Sequence, residues 1–392
     1  MKLCVALMTA LCLCCSAQGI AEKPKPSEPR WKIDLLRRYE FQAFDRTINY
    51  RWMLHQGVLF VSPEKILVYQ VNRSRAPAKL AVRDASGGSG NFLLEIRVIG
   101  ARDGSDVKSL ELPTSAEFSK VLATRDGRFI VCTGEILYLY SADFVRLASH
   151  ALPLKRQVQE EAWQVEVSPS GEEVMLVHQQ IFKRDAISPA SEVTSAQTDV
   201  EVLDASTLQL TKSFTLPSSL LMWHAADHML LSGKPLPAQG PFSYGLLDFE
   251  GKWSPLSSLE WYQEKQSCGY RVEPLDRQRF AAYGCGRISV LSGAGETLFS
   301  LNIGSKEFVG SVQVAGDYLA IQYERRSTQK RTSAYVPVLV AQPLRLDLYQ
   351  FRSNQQQLSL PLRGSNVYYA VSPGGTVAVV DGTSLELFEP QR

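Results

Sequence analysis

The chain is short of the groups that most enzymes use. Five histidines are scattered through 392 residues, too few and too dispersed to form an evident catalytic set. No G-x-S-x-G, H-E-x-x-H or Walker sequence occurs, so the signatures of the serine-hydrolase elbow, the zincin helix and the phosphate loop are all missing. Charge of one sign is lacking too. The 42 basic residues stand against 40 acidic ones, a net +2, and no global field draws the chain toward nucleic acid or anionic membrane. After the first seventeen residues, no apolar run is long enough to cross a bilayer. Cysteine is scarce there as well. Four of seven (Cys4, Cys12, Cys14 and Cys15) fall in that opening stretch, which leaves Cys132, Cys268 and Cys285.

The opening stretch, M-K-L-C-V-A-L-M-T-A-L-C-L-C-C-S-A, has one Lys, an apolar run from Leu3 to Leu13 and then small residues. This is the layout of a secretory leader, here residues 1–17. The alternative is an N-terminal membrane anchor, weakened by Ser16, Gln18 and Gly19. Residues 18–30 carry P-K-P-S-E-P and form an extended tether. Residues 31–392 are expected to be one domain, monomeric and exported to a secreted or periplasmic location where disulfides persist.

Short β-rich runs alternate with tight turns along that domain. Val367–Phe388 alone contains three strands in 22 residues, separated by S-P-G-G and D-G-T-S turns. Seven such inner turns recur, at Ser62, Arg125, Ser168, Ala226, Leu275, Ala315 and Ser372, at steps of 40 to 63 residues. The shortest steps match a four-stranded blade of roughly 40–45 residues, and the longer ones a blade plus an insert. Outer hairpins repeat too, as in 136–148, 199–210, 244–253 and 287–299. The last unit stops after its third strand, which would leave an open edge. Trp31–Leu35 alternates as a strand and is expected to fill the gap, although Ile33, Leu36 and Glu40 also fit one face of a helix. The expected fold is all-β: a seven-bladed β-propeller of four-stranded antiparallel blades, its last blade closed by the N-terminal strand.

The turns S-P-S-G at 168–171, S-P-G-G at 372–375 and R-D-G-R-F at 125–129 resemble those of bacterial WD40-like, seven-bladed β-propellers. The likeness covers almost the whole mature chain but is generic. Eukaryotic W-D and G-H pairs, quinoprotein tryptophan-docking repeats and sialidase boxes are all absent. Such a resemblance implies a fold and a habit of presenting surfaces, not a reaction.

Excess length falls in one class of connection, between strands two and three of a blade: Asn72–Asn91, Gln179–Thr198, Ser232–Phe242 and Glu324–Pro343. Those connections share one face of a propeller with the blade-to-blade links. Two of the inserts are basic, carrying Arg73, Arg75, Lys79 and Arg83, and Arg325, Arg326, Lys330 and Arg331. Lys155 and Arg156 join them from a link, as do the aromatic Trp261 and Tyr262. The expectation is a binding or scaffolding module whose locally basic, long-loop face meets an anionic glycan or a protein, with no nucleic acid, metal or cofactor. The alternative is a propeller hydrolase or lactonase with its site in the central channel. His224 and His228 lack an evident third ligand for zinc. Cys268 and Cys285 flank the Leu275 turn symmetrically, so an even-numbered loop would place them opposite each other within disulfide reach.

Overall fold

The structure, a computed structural model, describes residues 27–41, 56–72, 92–114, 119–124, 127–133, 136–152, 160–168, 170–183, 193–216, 222–226, 229–234, 243–250, 252–255, 270–276, 278–284, 286–292, 296–304, 306–329, 338–364 and 367–390.

After a strand β1 (Trp31–Asp34) and a helix α1 (Leu35–Tyr39), the chain runs through consecutive four-strand meanders. Blade one is β2 (Gln56–Ser62), β3 (Lys65–Asn72), β4 (Phe92–Gly100) and β5 (Asp106–Thr114). Blade two is β6 (Lys120–Ala123), β7 (Phe129–Cys132), β8 (Ile136–Tyr140) and β9 (Arg146–Ala151). Blade three is β10 (Glu160–Val167), β11 (Glu173–Lys183), β12 (Val193–Asp204) and β13 (Leu210–Leu216). Blade four is β14 (Met222–Ala226), β15 (Met229–Lys234), β16 (Ser243–Asp248) and β17 (Trp253–Pro255). Blade five is β18 (Tyr270–Pro274), β19 (Arg279–Gly284), β20 (Arg287–Ser292) and β21 (Thr297–Asn302). Blade six is β22 (Phe308–Ala315), β23 (Tyr318–Gln329), β24 (Val338–Gln350) and β25 (Gln355–Pro361). Last come β26 (Val367–Val371), β27 (Val377–Asp381) and β28 (Ser384–Phe388), on whose outer edge β1 is the fourth strand.

Innermost strands meet their neighbours in a circle. β2 touches β6 and β26, β10 touches β6 and β14, β14 touches β18, and β22 touches β19 and β26. This is a β-propeller of four-stranded antiparallel blades. One point of the sequence reading is corrected. The number of self-contained blades is six, not seven: the remaining four-stranded sheet is a composite of both chain ends, because the C-terminal run supplies three strands only. The fold is all-β, with one five-residue helix beside it among the described residues. Pairing of β1 with β28 ends at Asp34 opposite Ser384, and the chain turns at once into α1.

Local chemistry explains that switch. The Asp34 side chain accepts from Arg37 N at 3.0 Å, capping the helix, and Glu40 ends it in the left-handed region at φ 59°. The buried helical face is Leu35 and Tyr39, four residues apart, whereas Leu36 is 47% exposed. Strand and helix are therefore both present, and of Ile33, Leu36 and Glu40 only Ile33, on the strand, is buried.

The core is a series of apolar layers between neighbouring sheets. Ile33, Leu35, Phe41, Leu385 and Leu387 pack with Val58, Ile66, Val68 and Ile99 between the composite sheet and blade one. The alternate residues Leu67, Tyr69, Leu94 and Ile96 face blade two with Phe129 and Val131. β2 and β3 are thus apolar on both sides, which is why their sequences read as runs rather than alternation. The S-P-x-G turns hold by their serines. Ser168 Oγ accepts from Glu172 N and Glu173 N at 3.2 and 3.0 Å, and Ser372 Oγ accepts from Thr376 N at 3.0 Å. Gly375 closes its turn at φ 83°, a conformation that suits glycine.

Candidate functional site

Of the residues expected on the long-insert face, Arg325 and Arg326 are described, and both are exposed. Arg73, Arg75, Lys79, Arg83, Lys155, Arg156, Trp261, Tyr262, Lys330 and Arg331 lie outside the described residues. The segment Glu324–Pro343 corrects the expectation of a loop. β23 and β24 continue as a paired ladder through Arg325–Gln342, Arg326–Ala341 and on to Gln329–Val338. In blade three, β11 and β12 likewise pair from Gln179–Thr198 through Phe182–Ser195. At 11 to 13 residues, these strands are the longest in blades three and six. Backbone groups in a protruding arm need partners, and a hairpin ladder supplies them within the arm. The β-branched and apolar V-L-V run of β24 suits such a ladder.

The root of the blade-six arm is fixed by charge and ring contacts. Arg345, opposite Tyr323 in the ladder, has its guanidinium carbon 4.0 Å from that ring's centre. It pairs with Glu307 on the preceding link and with Asp347 at 2.9 Å. Asp347 is 2% exposed and also accepts from Ser359 Oγ at 2.7 Å. Burial and the Asp347 carboxylate push the Tyr349 and Tyr323 phenols above their usual range, so both rings stay neutral and act as apolar walls. One residue further out, the Glu324 side chain lies across Gly310, where a Cβ would sit 2.5 Å from it. Arg326 stacks on Phe308, 4.7 Å from its ring centre. Sequence reasoning found the arginines but missed the ring under one of them, since Phe308 belongs to a different strand, eighteen positions earlier.

A second concavity lies on the propeller axis. A cavity of about 550 Å³ is lined by Lys120, Leu122 and Ala123 of β6, Glu166 and Val167 of β10, Glu273 and Pro274 of β18 with Leu275 beyond it, and Val312, Gln313 and Val314 of β22. These residues sit at or near the ends of innermost strands that lead into the short inner turns, so the cavity is toward the face opposite the arms. Glu273 pairs with Arg271 at 2.7 Å, and Glu166 accepts from Gln164 Nε2. Behind the wall, burial first and the Glu273 charge second raise the Tyr283 phenol well above its usual range. Among the described residues, no group of three or more His, Cys, Asp or Glu is placed to hold a metal ion. His224 is on β14, while His228 lies outside the described residues.

The cysteine reading rested on an even-numbered loop, whereas β18 and β19 pair as Tyr270–Gly284 through Pro274–Phe280, which leaves an odd-numbered one. Cys268 and Cys285 themselves lie outside the described residues, as do residues 1–17, where a leader is expected, and Cys132 is buried on β7.

No protein-family model matches the sequence, and no curated protein matches it either. Solved structures resemble the fold. Acylaminoacyl peptidase from Pyrococcus horikoshii superposes with a TM-score of 0.50 at 9% identity, over 85% of this chain and 52% of that one. The present chain therefore spans about half of that enzyme's length. The β-propeller domain of the trilobed protease from Pyrococcus furiosus gives 0.48 at 8% identity, covering 85% and 94%. BamB from Moraxella catarrhalis gives 0.38 at 12%, covering 87% and 86%. At such identity the likeness to the peptidase concerns the fold alone.

Proposed function

We propose that the chain is an exported, non-enzymatic binding or scaffolding propeller that presents its long-insert face to an anionic partner, a glycan or a protein. The observation that carries the reading is the blade-six arm. It is a paired ladder rather than a loose loop, its root is fixed by Arg345, Glu307 and Asp347, and it bears the exposed Arg325 and Arg326. A rigid arm carrying cations loses less freedom on association than a mobile loop. Blade three sends a second ladder from the same class of connection, so a partner would meet two arms on one face.

The alternative, a hydrolase or lactonase working in the channel, is the lesser reading. Both carboxylates of the axial cavity are already engaged, Glu273 by Arg271 and Glu166 by Gln164, an arrangement that suits holding more than proton transfer. The likeness to a peptidase adds a relative that is an enzyme as a whole, of which this chain spans about half.

Binding to immobilised heparin, as a polyanionic glycan probe, and to an acidic protein column tests the platform. The expected result is retention that falls with salt. R325A/R326A should weaken it roughly two- to thirtyfold, the worth of two exposed ion pairs. Passage of the wild type through both columns at low ionic strength, or identical retention of the double variant, refutes the reading.

A further inference from the structure

The axial cavity matches none of the chemistry expected of the arms, and it lies toward the opposite face. Its volume of about 550 Å³ falls within the roughly 300–1,000 Å³ of small-molecule sites. Its walls mix apolar surface from Leu122, Val167, Leu275, Val312 and Val314 with polar groups arriving from four blades. Those polar groups are unbalanced. Glu166 and Glu273 bring two carboxylates and Lys120 one ammonium, and Arg271 and Gln164 take up only part of the carboxylates' acceptor capacity. Gln313 donates its Nε2 to Tyr369 O at 2.9 Å, leaving its carbonyl oxygen as an acceptor. Lys120 Nζ donates to Val165 O at 3.2 Å, which leaves two of its three protons.

Acceptors therefore outnumber donors, and the favoured occupant is rich in N–H and positively charged at one end. The remaining Lys120 protons ask for an oxygen acceptor at the other end, and the aliphatic walls ask for an apolar body between. We infer that the axial cavity binds a small α-amino compound, with its ammonium held by Glu166, Glu273 and the Gln313 carbonyl, its carbonyl or carboxylate oxygen on Lys120, and an aliphatic side chain against Leu122, Leu275 and Val312. Free amino acids and peptide N-termini share this chemistry. The Tyr283 hydroxyl, buried beside Glu273 and without a hydrogen bond of standard geometry, keeps that part of the wall polar behind the carboxylate.

Calorimetric titration of the purified protein with L-leucine, Leu-Gly-Gly and N-acetyl-L-leucine decides the matter. Leucine or the tripeptide is expected to bind. N-acetylation, which removes the ammonium, and the E273Q and E166Q variants should each weaken binding about tenfold or more, as expected for losing a hydrogen bond to a charged group. Binding of leucine alone identifies a free amino acid as the ligand, and binding of the tripeptide identifies a peptide N-terminus. R325A/R326A, at the far face, should leave these affinities unchanged, so failure of the platform and failure of the cavity are separable. Equal binding of N-acetyl-leucine overturns the assignment without recourse to any variant. Absence of binding by both amines up to about 10 mM, where even a weak site of a few kcal/mol would fill, overturns it as well.

Discussion

Replacing Leu35 by alanine tests how the ring is sealed. Leu35 is 1% exposed and packs in the layer that joins the composite sheet to blade one, with Ile33, Phe41, Leu385 and Leu387. Its amide donates to Thr383 O at 2.7 Å, just past the end of the β1–β28 ladder. Truncating a leucine in such a position removes about 2–5 kcal/mol through lost burial and the cavity left behind. The cost should be near the upper end here, because the residue is held from both sides. Trp31 Nε1 is bonded to Ala101 O at 2.9 Å, and Tyr39 is bonded to Asp106, so neighbouring groups are not free to collapse into the void. The control is one position away: Leu36 is 47% exposed, and L36A should change stability by less than about 0.5 kcal/mol. Urea denaturation followed by tryptophan fluorescence compares the two. Equal midpoints for L35A and L36A would mean that the N-terminal segment does not close the ring as described. The reasoning about β1 and α1 would then be wrong.

Three further outcomes follow from other parts of the fold. G375A should destabilise by about 1–3 kcal/mol, since the turn needs φ 83° and a Cβ there would sit 2.6 Å from the Tyr318 ring; an unchanged thermal midpoint refutes it. D347A should cost about 1–3 kcal/mol by stranding Arg345 and Ser359, and limited proteolysis should then cut the blade-six arm faster than in the wild type. Unchanged cleavage would mean that the network does not anchor the arm. Burial pushes the Tyr69 phenol up to about 12. Its stabilising effect is complete below the unfolded value near 10 and is lost as pH rises through 12. Urea midpoints should therefore fall between about pH 10 and 12, and fall less in Y69F; identical alkaline profiles would remove Tyr69 as a cause.

Much of the architecture was written in the order of residues. Serine, proline and glycine at fixed offsets mark the inner turns, because each closes on its own hydroxyl and a left-handed glycine, without help from distant chain. Ser168 and Ser372 do the same work two hundred residues apart. The missing fourth strand of the last sheet was legible for a similar reason: a β-edge needs a cover, and Trp31, Ile33 and Leu35 have the alternation to provide one. Helix α1 was not legible, since Leu35 and Tyr39 become a buried pair only when blade one stands beside them. The odd number of residues in the blade-five inner loop was not legible either, because turn residues such as Leu275 and Asp276 do not specify loop length by type. For the candidate sites, charge in the inserts could be read directly, but the pairing of the blade-six arm into a ladder could not.

Sequence by itself determined the repeating unit, the strand periodicity and the end of the chain that lacks a partner, because hydrogen bonding within a hairpin is a local matter. Tertiary structure alone decided what meets between strands and between blades: Arg326 over Phe308 and Arg345 beside Glu307 within blade six, and Lys120, Glu166, Glu273 and Gln313 around one axial space. Those groups are separated by tens to hundreds of positions. Sheet pairing within blade six joins the first two pairs, and only closure of the ring brings the four cavity groups around one space.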